Sequence, residues 1–141
     1  MSELFEADVN YLAVTLAGLA AQPLGFLWYG PVFGQRWMAL RGYTEEQVQG
    51  DASPTVYFVP LVAALVIAYG IARLCDMTGA ESFGDCLAIA AFCWGGFAAT
   101  VAAMQINFSP LAKNKPGLFA IEGGYYLASF LIAGAIISAF Q

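Results

Sequence analysis

Residues 9–29, 55–74, 84–107 and 118–140 are apolar along almost their whole length, and the only charged side chains within them are Arg73, Asp85 and Glu122. About 20 helical residues at ~1.5 Å each cross the ~30 Å hydrocarbon core of a bilayer. Four such runs leave little else to fold into. In lipid, every backbone N–H and C=O must be satisfied within the segment, which a helix does and an isolated strand does not. The composition agrees: 60% of the 141 residues are hydrophobic and 11% charged, with a mean hydropathy of +0.70. A soluble domain carries about 25% charged residues to hold its water.

Each run has small residues at helical spacing. Ala13, Ala17, Ala21 and Gly25 mark the first; Ala64, Ala68 and Ala72 the second; Ala91, Gly95, Ala99 and Ala103 the third; Ala120, Gly124 and Ala128 the fourth. Such stripes let helices approach closely in a bilayer. The expected fold is therefore all-α: an integral membrane four-helix bundle forming one transmembrane domain over residues 1–141. An interfacial segment joins helices one and two.

The exit of the first run, Leu27-Trp28-Tyr29-Gly30-Pro31-Val32-Phe33-Gly34-Gln35-Arg36-Trp37, is the most individual part of the chain. Trp28, Tyr29, Pro31, Arg36 and Trp37 read as interface anchors. Indole and phenol rings favour the water–lipid boundary, and arginine the headgroups. Residues 31–43 read as a segment lying along those headgroups. Thr44 to Gln47 fits a capping box opening a short polar helix, which Asp51-Ala52-Ser53-Pro54 closes. Pro23 withholds an N–H from the carbonyl of Leu19 and predicts a kink beside Gln22. Asn10 suits the cap of the first helix, and Arg73 is expected to snorkel to the interface. The third run exits through Ile106-Asn107-Phe108-Ser109-Pro110, which resembles the first exit. A two-helix unit used twice in the same orientation would give that pattern, and the plainer reading is one interface selecting the same residues twice.

Several function classes are excluded or disfavoured. The chain has no histidine, which removes histidine-based acid–base catalysis and histidine-ligated haem, pigment or zinc. Cys75, Cys86 and Cys93 form no C-x-x-C pair and read as small packing residues. A net charge of −5 argues against nucleic acid as a partner. The acidic start, MSELFEADVN, does not read as a secretory signal. No nucleophile motif, phosphate loop or metal cluster is present, so no catalytic residue, metal ligand or cofactor is assigned.

What remains is a possible polar intramembrane site: Gln22, Gln105, Asn107 and Glu122. Glu122 is the one acid placed well inside a run, and intramembrane carboxylates are costly and often functional. The plainer expectation is that it snorkels or pairs with Lys113 or Lys115.

The first helix and its exit resemble an uncharacterised bacterial membrane family, domain of unknown function 1761. The resemblance rests on Asn10, Leu12, Ala13, Val14, Gly25, Leu27, Trp28, Tyr29, Pro31, Phe33, Gly34 and Trp37. Gly42 to Gln47 and Gly124-Tyr125-Tyr126-Leu127 add to it, and Gln22-Pro23 departs from it. It implies four spans in a bacterial inner membrane and brings no activity. The sequence thus points to a non-catalytic membrane protein, either a complex subunit or a homo-oligomer, in contact with lipids and with other membrane proteins or its own copies. A small transporter or channel for protons, cations or a small solute is the alternative. Arg36, Arg41, Lys113 and Lys115 lie in the two loops on one side and Arg73 on the other. That bias places loops 30–54 and 108–117 in the cytoplasm and both termini outside.

Overall fold

The computed structural model describes residues 8–50 and 53–141. Residues 1–7 of the acidic start, and Asp51 and Ala52, on which the expected stop of the loop helix falls in part, lie outside the described residues. All regular structure among the described residues is helical. Four helical stretches, Tyr11–Val32, Thr55–Met77, Phe83–Asn107 and Lys115–Ala139, are long and apolar enough to span a membrane.

The first span opens with helix α1, Tyr11–Leu27. Asn10 caps it, its side-chain oxygen accepting from the amides of Leu12 and Ala13 at 3.1 and 3.2 Å. The α-helix runs on past Pro23, and it ends in a π turn at Trp28–Val32 that contains Pro31. There Gly30 leaves helical geometry (φ −105°, ψ −106°), just before Pro31. Two short helices follow, α2 at Gly34–Arg41 and α3 at Glu45–Gly50. The expected cap of α3 forms: the Thr44 hydroxyl accepts from the Gln47 amide, and the Gln47 side chain accepts from the Thr44 amide.

Helix α4 is Thr55–Met77. A short turn with Gly79 at φ 65° leads to α5, Phe83–Cys93, which Ser82 and Asp85 open as a capping box. A second π turn, Trp94–Ala98, joins α5 to α6, Ala99–Asn107, so the third span is interrupted near its middle. Helix α7, Lys115–Ala139, is the fourth span and touches the other three.

Small residues set the close approaches. A methyl group on Gly18 of α1 would lie 2.5 Å from Leu65 Cδ2 of α4, and one on Gly134 of α7 would lie 3.0 Å from the Cys86 carbonyl of α5. The half of the bundle nearest the termini is filled by Val14, Ala17, Ala68, Ile71, Cys75, Cys86, Ala90, Phe130, Ala133 and Ile137. The three cysteines are free and buried there, as packing residues are. Arg73, one turn from the end of α4, is only 6% exposed, with its guanidinium 5.8 Å from the Tyr69 ring centre.

Candidate functional site

The opposite half of the bundle is built around one residue. Glu122 lies about two turns into α7 and is 7% exposed. A lone carboxylate at that depth would be costly, so its partners matter. Arg41, the last residue of α2, supplies them. Its Nε donates to Oε1 and its Nη2 to Oε2, each at 2.6 Å. One turn earlier on the same face, Trp37 Nε1 donates to Oε1 at 3.0 Å. The planar guanidinium fork matches the carboxylate, and three charge-assisted bonds replace its water.

Local chain geometry brings α2 to that position. The π turn closes with the Phe33 amide donating to the Trp28 carbonyl at 2.9 Å, and the Trp37 amide then donates to Phe33 at 2.8 Å. Gly34 sits where a methyl group would lie 2.5 Å from the Tyr29 carbonyl, so no larger residue fits the bend. At the other end Gly42 takes the left-handed conformation (φ 75°), and the Tyr43 amide donates back to Met38 at 3.0 Å. The loop after α6 adds a tie, its Lys113 amide donating to the Leu40 carbonyl at 2.7 Å.

The other two tryptophans meet α7 within one residue of Glu122. Trp28 Nε1 donates to the Ile121 carbonyl at 2.9 Å, and Trp94 Nε1 to the Gly123 carbonyl at 2.8 Å. Each begins a π turn, an irregularity often found at functional positions. Gly124 makes room, since a methyl group there would lie 3.2 Å from the Trp28 ring. Tyr29 packs edge-on against Trp37 and Tyr125, and Trp37 against Tyr43, while Trp28 meets Phe33 at a tilt of 50°. The Tyr125 hydroxyl donates to the Ala21 carbonyl at 3.4 Å. An aromatic layer therefore encloses the ion pair. Beside it an open cleft of about 450 Å³ is lined by Trp37, Gly42, Tyr43, Gln47, Val48, Val56 and Leu111.

This arrangement revises the sequence reading. Glu122 neither snorkels nor pairs with a lysine: Lys115 Nζ donates to the Asn107 carbonyl at 2.6 Å, and Lys113 is exposed. Gln22 is half-buried, and Gln105 and Asn107 are exposed. Among the described residues no hydrogen bond joins any of them to Glu122, whose partners are Trp37 and Arg41. Of the expected anchors, Pro31 and Arg36 are exposed, whereas Trp28, Tyr29 and Trp37 turn inward to α7. The missed residue is Arg41. Its signal was the four-residue spacing from Trp37, which puts indole and guanidinium on one face of a short helix.

A family model described as a protein of unknown function, DUF1761, matches residues 12–138, from the second residue of α1 to the end of α7. The chain belongs to the DUF1761 family. No curated protein and no solved structure matches it. In this DUF1761 protein the match takes in both π turns, all three tryptophans and the Arg41–Glu122 pair. Among the described residues, no group of three or more cysteine, aspartate or glutamate side chains is placed to hold a metal ion.

Proposed function

We propose that this DUF1761 protein is a non-catalytic subunit of the bacterial inner membrane that assembles with copies of itself or with other membrane proteins. The carrying observation is on the third span. Gly95 and Gly96 are exposed in the middle of that span, and a methyl group on either would meet nothing within 4 Å. Each glycine costs about 1 kcal/mol relative to alanine in a helix interior. Among the described residues, none uses the space they leave. Thr100 and Ala103 continue the exposed small-residue lane, and Thr100 returns its hydroxyl to the Gly96 and Phe97 carbonyls. A second helix seated there would use the close approach that these residues permit.

The competing reading is a small transporter or channel, favoured by the single buried carboxylate. Against it stands the state of Glu122. Both oxygens accept from Arg41, and Oε1 also from Trp37, so the charge is already neutralised and three of its acceptor sites are filled. Proteoliposome flux abolished by Glu122→Gln with the fold intact would restore that reading. The excess of Arg36, Arg41, Lys113 and Lys115 on the loop side over Arg73 on the other supports cytoplasmic loops and external termini.

Particle mass in lipid nanodiscs tests the assembly reading. The wild-type chain should run as a multiple of 15.0 kDa or with a co-purifying membrane protein. Gly96→Leu should return it to a single chain while leaving its helix content unchanged. A wild-type monomer with no membrane partner would sink the proposal.

A further inference from the structure

The attachment of residues 33–50 to the bundle is uneven. Helix α3 has no buried residue, and its side-chain hydrogen bonds run between its own residues and Thr44. In α2, Gln35, Arg36 and Ala39 are exposed. Beyond the Phe33 amide at its root, which closes the π turn on Trp28, the polar ties of this segment to the bundle among the described residues are three groups within about one helical turn: Trp37, Arg41 and the Leu40 carbonyl. Two of the three end on the same carboxylate. On one side of the segment lies Gly30, already out of helical geometry, and inside it Gly42 sits at positive φ. Both are positions where the backbone turns without opposition from a side chain.

We infer that residues 33–50 form a hinged strap across the loop end of the bundle, and that Glu122 is its latch. With the latch closed, Trp37 and Arg41 cover the carboxylate, and Trp37 also lines the neighbouring cleft. When it opens, rotation about Gly30 and Gly42 lifts α2, and the guanidinium and indole leave together because they share one helix face. Glu122 is then uncovered toward the loop side, and the cleft beside Trp37 joins the vacated space. The four spans keep their contacts, because the small-residue core near the termini does not involve the strap. Segments that open below the global unfolding free energy are those with few buried apolar contacts and few ties, which describes this one. The inference stands apart from the assembly reading, since it concerns a different face of the bundle.

Hydrogen exchange followed by mass spectrometry, on the full chain in lipid nanodiscs, tests the latch. Glu122→Gln should raise exchange of amides 34–42 by about tenfold or more, leaving α1 and α4 unchanged. Arg41→Lys, which keeps the charge but loses the fork, should give a smaller rise in the same segment. Arg36→Gln, an exposed change on the same helix, should give none. If Glu122→Gln does not fold, Trp37→Phe serves in its place, removing one tie and keeping the ion pair, again with a rise confined to 34–42. Full protection of 34–42 in the latch variants would overturn the inference. So would an acceleration spread evenly over all four spans.

Discussion

Arg41→Met asks how much the buried ion pair contributes and whether its members satisfy one another. The substitution keeps the side-chain length and removes the fork, so Glu122 retains only the Trp37 indole. Removing one partner of a buried pair typically costs about 3–5 kcal/mol, because the other charge is left in an apolar site. Glu122 lies two turns from the end of its span, so the lower part of that range applies. Glu122→Gln alone keeps an acceptor for Trp37 and strands Arg41, whose side chain is 17% exposed and reaches water more readily. A loss of about 2 kcal/mol is expected there. The double variant leaves no stranded charge, and its loss should be about 2–3 kcal/mol, well short of the summed single losses. The coupling energy should therefore be about 2 kcal/mol or more. Equilibrium unfolding in mixed micelles, titrated with a denaturing detergent and followed by far-ultraviolet circular dichroism, measures all four species. Additive losses, with coupling under about 0.5 kcal/mol, would refute the claim that the two groups satisfy each other.

Three further outcomes follow from the same geometry. Gly34→Ala places a methyl group 2.5 Å from the Tyr29 carbonyl, so it should displace α2 and lower the unfolding midpoint, with a loss of about 2 kcal/mol or more. Trp94→Phe keeps the ring and loses the bond to the Gly123 carbonyl; about 1 kcal/mol should be lost in the same titration. Cys75, Cys86 and Cys93 should resist a membrane-permeant maleimide in mild detergent and label fully once denatured, and rapid labelling of the folded protein would contradict their burial.

The spans were legible because hydropathy and length act locally. The capping residues Asn10 and Thr44 were legible for the same reason, each needing only the next three residues. The site was half legible. Glu122 stands out as the lone acid well inside an apolar run, but its partner is 81 positions away, and sequence proximity favoured the lysines instead. Residues such as Trp37 and Arg41 satisfy an interfacial preference and an inward one equally well on paper. The choice was made by the bend at Gly30–Pro31, whose direction no residue pattern states. The helix carries Pro23 and breaks where Gly30 and Pro31 adjoin, a local signal that proline at the end of an apolar run supplies.

The chain has three tryptophans, and their indole N–H groups end on Ile121, Glu122 and Gly123. Intrinsic fluorescence is usually taken as an average over a molecule. Here the whole indole emission originates around one turn of one helix, so its wavelength and quenching read the polarity at Glu122 and are nearly blind to the terminus half of the bundle. A spectral shift without loss of helix content would be the signature of a change at that turn alone, obtained without any label.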